Sequence, residues 1–106
     1  MEAHAQLSEL KKEKKLRVIA MGEPVLLTYL DGEVYAISDR CPHLRASLHK
    51  GSFENGMVTC PKHHAIIDVK TGQTVQKAHL GPIKMPTKNA KVYHVEIKDD
   101  DIFVTQ

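Results

Sequence analysis

Two short motifs in the sequence each combine a cysteine with a histidine. The first, C-P-H, supplies Cys41 and His43, and the second, C-P-K-H, supplies Cys60 and His63. Thiolate sulphur and imidazole nitrogen are both common metal ligands in proteins. Each motif also contains a proline, whose fixed φ angle limits the entropy lost when a loop closes around a metal. The two motifs therefore predict two loops that contribute ligands to one metal centre.

Two kinds of metal centre suit this donor set. One is a [2Fe–2S] cluster with two cysteines on one iron and two histidines on the other. The other is a single zinc ion with Cys₂His₂ ligation. Structural zinc sites usually separate their two cysteines by about two to four residues and their two histidines by about three to five. Here each short motif mixes the two ligand types, so the spacing favours the cluster and leaves zinc as the alternative.

The length and composition predict one globular domain without a membrane segment. The chain has 106 residues, is 42% hydrophobic and carries a net charge of +2, which suits one modest core and gives no indication of nucleic-acid binding. No apolar stretch approaches the roughly 20 residues that span a bilayer. Residues 1–15 contain no apolar signal region. We therefore expect a soluble, cytoplasmic protein, and in that reducing compartment two cysteines favour metal binding over a disulfide.

Turn signals separate short runs that are rich in Val, Ile, Tyr and Thr. They are Asp31-Gly32, Asn55-Gly56, Thr71-Gly72 and the segment 98–101. Asp-Gly and Asn-Gly readily supply the positive φ angles of a tight hairpin turn. Four hairpins in sequence predict an all-β domain with antiparallel sheets.

The segment SELKKEKKL, residues 8–16, contains good helix formers and a possible N-cap at Ser8. Its apolar stripe is short, which favours a single helical turn leading into a strand over residues 16–20. Gly81-Pro82 and Met85-Pro86 predict a loop before the last hairpin.

The order C-x-H followed by C-x-x-H resembles the Rieske iron–sulphur domain, and nearly the whole chain fits. The segments LSEL, VYAISDRCPH, IIDVKTG and VYHVEIKDDDIFV, with Gly51 and Gly56, resemble the stand-alone Rieske ferredoxins of multicomponent oxygenases. The resemblance implies a single domain over residues 1–106. It also implies a Rieske-like antiparallel β-sandwich of three layered sheets, with a small cluster-binding subdomain at approximately residues 41–80.

The resemblance also implies the cofactor and the role of each ligand. One [2Fe–2S] cluster per chain would be held with Cys41 and Cys60 on the inner iron. His43 and His63 would hold the outer iron, near the protein surface. Because two neutral imidazoles replace two thiolates, the cluster is less negative and accepts an electron at a higher potential, roughly −150 to +300 mV.

Four positions depart from the Rieske subunits of respiratory complexes. Ala46 and Lys62 stand where those subunits carry an extra cysteine pair that bridges the two loops, so this chain cannot form that bridge. Ala65 and Ile67 stand where they carry serine and tyrosine hydroxyls that bond to sulphur. Because such bonds stabilise the reduced form, their loss predicts a potential toward the low end of the range.

Two further positions bear on the backbone rather than on the ligands. Arg45 and His64 stand where glycine usually follows two of the ligand motifs. A side chain restricts the backbone angles that a glycine can adopt. The resemblance therefore leaves the four ligands unchanged but does not predict the local conformation at Arg45 and His64.

Together these features predict an electron carrier, working between a flavin-dependent reductase and a terminal oxygenase. We expect no activity as an enzyme, because no nucleophile with its base and no phosphate-binding loop is present. A small Rieske subunit of a reductase complex, or a structural zinc module, remains the alternative. Residues 41–80 contain five basic and two acidic residues, which predicts a basic docking surface for an acidic redox partner.

Overall fold

The structure is a computed structural model that describes residues 3–41, 46–62, 64–76, 79–80, 82–84 and 88–106. Within these ranges it contains twelve short strands, one α-helix and one 3₁₀ turn. The strands are β1 (Ala5–Gln6), β2 (Lys15–Ala20), β3 (Glu23–Leu30), β4 (Glu33–Ser38), β5 (Ser52–Glu54), β6 (Met57–Thr59), β7 (Ile66–Asp68), β8 (Thr74–Gln76), β9 (His79–Leu80), β10 (Ile83–Lys84), β11 (Val92–Lys98) and β12 (Asp101–Thr105). The helix is α1 (Leu7–Glu13), and the 3₁₀ turn covers Leu48–Lys50.

All strand pairs that the structure describes are antiparallel, as the hairpin signals predict. The largest sheet has the order β1-β12-β11-β4-β3-β2, and a second sheet has the order β5-β6-β7-β8. Strands β9 and β10 form a small hairpin. Strand β11 pairs with β4 through Val92 and Tyr93, and with β12 from His94 onward. Strand β11 therefore links the β12 side of the large sheet to the β4 side, and the all-β prediction is confirmed.

Two hydrophobic cores lie on opposite faces of the β3–β4 hairpin. Successive strand residues point to opposite faces, so Val25 and Leu27 enter one core while Leu26 enters the other. Ala36 and Ile37 on β4 divide in the same way. The hairpin is thus the middle layer of the molecule, between the outer part of the large sheet and the β5–β8 sheet.

We name the two cores by what they support. The base core contains buried residues from both ends of the chain: Leu10, Ala20, Val25, Leu27, Ala36, Tyr93, Ile102 and Val104. The loop core contains Leu26, Ile37, Cys41, Leu48, Val58, Cys60, Ala65, Ile67, Val69 and Ala90. Both cysteines of the predicted metal centre therefore belong to the loop core.

The predicted turns lie where the sequence places them. Asp31 and Gly32 have φ angles of 50° and 83°, and Asn55 and Gly56 have angles of 54° and 78°. Two consecutive positive φ angles are the geometry of the hairpin turns that Asp-Gly and Asn-Gly favour. A further hairpin turn of this kind, which the sequence analysis did not predict, joins β2 to β3 at Met21 and Gly22, with angles of 54° and 76°.

Helix α1 is longer than the single turn predicted for this segment, and the predicted Ser8 cap is wrong. The N-cap position is Gln6, whose side chain makes no capping bond. The carboxylate of Asp100, in the β11–β12 turn, instead accepts hydrogen bonds from the Ser8 backbone N–H at 2.9 Å and hydroxyl at 2.8 Å. This distant carboxylate satisfies the helix start, and burial of Leu10 in the base core holds the helix in place. No described helix has the length and apolar character needed to cross a bilayer.

Candidate metal centre

The cysteines of the two motifs lie in the same buried environment. Cys41 and Cys60 both have 0% of their surface exposed and pack in the loop core. Leu48, Val58 and Ile67 of the same core are also fully buried. A site with two buried thiols and an apolar lining excludes water from any metal that the thiolates hold.

Each cysteine begins a loop that closes with the same hydrogen bond. The Cys41 backbone N–H donates to the Ala46 carbonyl oxygen at 2.7 Å, and the Cys60 N–H donates to the Ala65 oxygen at 2.8 Å. Each bond joins two residues that are five positions apart in the sequence. The two motifs therefore form matched loops, in which the cysteine occupies the same position at the start of the loop.

The chain moves from the core to the surface within one residue of Cys60. Pro61 and Lys62 are exposed, and so is His64. The second loop therefore has a buried cysteine at its start and a solvent-facing tip. This arrangement fits a metal cluster with a sulphur-ligated side in the protein and the opposite side toward solvent.

The predicted histidine ligands, His43 and His63, lie outside the described residues. Among the residues that are described, no group of three or more His, Cys, Asp or Glu side chains is arranged to hold a metal ion. The structure places Cys41 and Cys60 in one core, and the ligand roles of all four residues, Cys41, His43, Cys60 and His63, remain predictions.

Nearly the whole chain matches one protein family. The family model for the Rieske [2Fe–2S] domain matches residues 2–104. The chain belongs to the Rieske [2Fe–2S] domain family. Proteins with this domain bind a [2Fe–2S] cluster, and the two buried thiols on matched loops fit that cofactor. The family match favours the cluster over the zinc site that the motif spacing leaves as an alternative.

Individual relatives of this Rieske chain include ferredoxins of oxygenase systems. It is 35% identical over 82 residues, 76% of its length and 71% of the relative's, to the ferredoxin subunit of 3-phenylpropionate/cinnamic acid dioxygenase from Photorhabdus laumondii. The ferredoxin of carbazole 1,9a-dioxygenase from Nocardioides aromaticivorans superposes with a TM-score of 0.81 at 27% identity, over 97% of this chain and 94% of that one. A ferredoxin structure in complex with the carbazole 1,9a-dioxygenase oxygenase gives a TM-score of 0.72 at 28% identity, with 87% and 88% covered.

The positions that depart from respiratory Rieske subunits have distinct surroundings. Ala65 and Ile67 are fully buried beside the two cysteines, so the places of the absent hydroxyls are filled by apolar groups. Ala46 is half-buried and packs against the loop core, whereas Lys62 is exposed. The lower reduction potential expected from Ala65 and Ile67 stays a prediction.

His64 adopts the backbone conformation that explains why glycine is usual there. Its φ angle is 62°, in the left-handed region. Its N–H donates to the Cys60 oxygen at 3.2 Å, and its carbonyl oxygen accepts a hydrogen bond from the Gln76 side chain at 3.2 Å. Both bonds use main-chain atoms of residue 64, so a glycine would keep them. The Arg45 position lies outside the described residues.

Replacing His64 by glycine is therefore expected to stabilise the protein. A side chain in the left-handed region costs about 1 kcal/mol, and we expect the free energy of unfolding in urea to rise by about that amount. His94→Gly is the matched control, because His94 is also exposed but lies within β11 at a negative φ. There, glycine should destabilise the strand. Equal loss of stability in both variants would contradict this account of His64.

The ionisation of Tyr93, in the base core, is shifted by its surroundings. Burial raises the pKa of its hydroxyl, the charge of Glu23 raises it further, and Arg40 opposes this. Glu23 and Arg40 themselves form an exposed ion pair of 3.0 Å. Tyr93 is therefore neutral at physiological pH.

Proposed function

We propose that this chain is a soluble, cytoplasmic electron carrier, the Rieske ferredoxin component of an oxygenase system. The observation that carries the proposal is the pair of matched loops, which begin at Cys41 and Cys60 in one buried site. The family match over residues 2–104 and the oxygenase ferredoxins among the relatives agree with it. The chain carries electrons and performs no catalysis of its own.

Four residues of the chain hold the cofactor in this proposal. Cys41 and Cys60 bind the inner iron, which agrees with their complete burial. His43 and His63 bind the outer iron, and the exposed neighbours of His63 support its position at the surface. When bound, the [2Fe–2S] cluster takes up and releases a single electron. Burial of the two thiols keeps water away from the inner iron, while the loop tips approach the partner protein.

The partners in this proposal are a flavin-dependent reductase as electron donor and a terminal oxygenase as acceptor. The solved complex of a related ferredoxin with its oxygenase supports the second partner. The alternative, a small Rieske subunit of a reductase complex, would appear as stable copurification with a larger chain. A carrier should instead purify alone and accept electrons from a separate reductase.

Spectroscopy of the purified chain tests the proposal. We expect a red-brown protein with equal amounts of iron and acid-labile sulphide, two of each per chain for one [2Fe–2S] cluster. The dithionite-reduced protein should give an EPR spectrum with a lower average g value than that of a Cys₄ cluster. A colourless protein containing zinc would overturn the proposal.

Electron transfer at the exposed loop tip should depend on charge. Lys50, Lys62 and Lys70 are exposed in the described part of the loop region. We therefore expect the reduced protein to react faster with ferricyanide at low ionic strength, because the probe is an anion. Lys62→Glu should slow that reaction roughly fivefold and accelerate the reaction with the cation hexaammineruthenium(III).

The matched control is Lys98→Glu, which reverses an exposed charge at the end of β11 in the base of the molecule. Stopped-flow oxidation should show little change for this variant with either probe. Identical effects of the two reversals would show that net charge, rather than a basic surface beside the cluster, governs the rate.

A further inference from the structure

The two matched loops are supported in different ways. The loop that begins at Cys60 joins β6 to β7, and three residue pairs, including Thr59 with Ile66, fix the two arms together. The first loop has one such pair, the isolated bridge between Arg40 and Ser47. After that bridge the chain enters the 3₁₀ turn instead of a strand. The outgoing arm of the first loop therefore needs another support.

A buried carboxylate provides bonds at that place. Asp39, two residues before Cys41, is only 1% exposed. Its Oδ1 accepts the backbone N–H of His49 at 2.8 Å, and its Oδ2 accepts the hydroxyl of Ser47 at 2.5 Å. Its backbone oxygen accepts the Leu48 N–H at 2.6 Å. One residue on the incoming arm thus binds three consecutive residues on the outgoing arm.

The same carboxylate also joins the first loop to the large sheet. Arg17, on the edge strand β2, donates from Nε to Asp39 Oδ2 at 3.1 Å. Lys15 projects from the same face of β2, since alternate strand residues share a face. Its ammonium group donates to the carbonyl oxygens of His49 at 2.6 Å and Gly51 at 2.5 Å. Two cations of β2 therefore hold the segment that Asp39 organises.

A charged group is costly to bury, and it persists where its bonds are all made. Both carboxylate oxygens of Asp39 have donors, and those donors lie on the two arms of the loop and on β2. The chain has cysteines only at positions 41 and 60, so no disulfide brace between the loops is available. The hydrogen bonds of Asp39 hold the two arms of the first loop together, as the pairing of β6 with β7 does for the second loop.

We propose that Asp39 is the positioning residue of the first ligand loop. Its carboxylate fixes the outgoing arm, residues 47–49, against the incoming arm, and so sets where Cys41 and His43 meet the cluster. The inference rests on the proposed function, because it assumes that these two residues are ligands. Asp39 acts through the loop and is not itself a ligand.

The test is Asp39→Asn in the cluster-loaded protein. Asparagine has the same size as aspartate, but an NH₂ group replaces one of the two carboxylate oxygens. That NH₂ group is itself a donor and cannot accept the hydrogen bonds that the oxygen accepted. We expect the visible absorbance to be lost to a chelator about tenfold faster than in the wild type, since bonds to a charged group are among the strongest. The EPR spectrum of the reduced protein should shift or broaden. Ser47→Ala removes only the hydrogen bond from the Ser47 hydroxyl to Asp39 and is a milder change than Asp39→Asn. It should change both readouts in the same direction by a smaller factor.

Two controls separate positioning from general weakening. Asp68→Asn alters a carboxylate at the end of β7 whose side-chain partner among the described residues is the exposed backbone N–H of Lys70, at 2.9 Å, and it should leave both readouts unchanged. Ile102→Val weakens the base core, away from the loops, and should lower the urea midpoint without changing the EPR spectrum.

Wild-type EPR spectra in Asp39→Asn and Ser47→Ala would overturn the inference. So would cluster loss no faster than in a base-core variant of equal stability. In either case a wild type that contains the cluster would leave the proposed function intact. A wild-type chain that purifies without iron and sulphide would overturn the proposed function and, with it, the positioning role.

Discussion

Cys60→Ala is expected to abolish binding of the [2Fe–2S] cluster. Cys60 is fully buried at the start of the second loop, and alanine offers no ligand atom there. Loss of one of two thiolates leaves an iron that the remaining residues cannot hold. We expect a colourless protein with essentially no iron or sulphide, measured by metal analysis and visible absorption. Circular dichroism should retain the β spectrum, because the base core does not include Cys60.

Histidine variants provide the matched comparison for the predicted outer ligands. His43→Ala and His63→Ala should each lose most of the cluster, whereas His94→Ala should keep it. His94 is exposed on β11, in the base of the molecule. A full complement of cluster in Cys60→Ala, or in both His43→Ala and His63→Ala, would contradict the ligand assignment.

Gly51→Ala is expected to cause a large loss of stability. A Cβ atom at this position would overlap the backbone carbonyl oxygen of Thr59 and lie 2.9 Å from its carbonyl carbon. Main-chain atoms of β6 cannot move aside without breaking the pairing of Ser52 with Thr59. We expect the free energy of unfolding in urea to fall by about 3 kcal/mol. Because Thr59 precedes Cys60, the variant should also lose its cluster faster.

Gly32→Ala separates this steric effect from backbone strain. Gly32 has a φ of +83°, but nothing lies within 4 Å of its added Cβ. Alanine there should cost about 1 kcal/mol, through the left-handed conformation alone. Gly51 has a φ of −86°, which any residue adopts. Equal destabilisation in the two variants would contradict the close approach of Gly51 to β6.

Local signals in the sequence predict the hairpins because the turn residues themselves determine the geometry. Asp31-Gly32 and Asn55-Gly56 have the positive φ angles that these dipeptides favour. Both cysteines lie shortly after strands of these hairpins: Cys60 directly follows β6, and Cys41 comes three residues after the end of β4. The left-handed φ of His64 accounts for the glycine usual at that position, but only the structure shows that a histidine adopts it.

Interactions between distant residues could not be predicted in this way. Asp100 stabilises the start of α1 from 92 positions away, so the local pattern gave a helix that was too short and the wrong cap. The contacts of Asp39 likewise join β2, β4 and the 3₁₀ turn. Its place in the sequence, two residues before a predicted ligand, was visible, but nothing there indicated that it is buried or what it binds.

The division into two cores has a consequence for how the protein acquires its cofactor. The buried members of the base core come from residues 10–36 and 93–104, so this core joins the two ends of the chain without the ligand loops. It can therefore form before iron and sulphide arrive. The loop core contains both thiols, so we expect its stability, unlike that of the base core, to rise when the cluster is bound. A chain that lacks its cluster should therefore keep a folded base, and protection against hydrogen exchange should be lost first in the loop core.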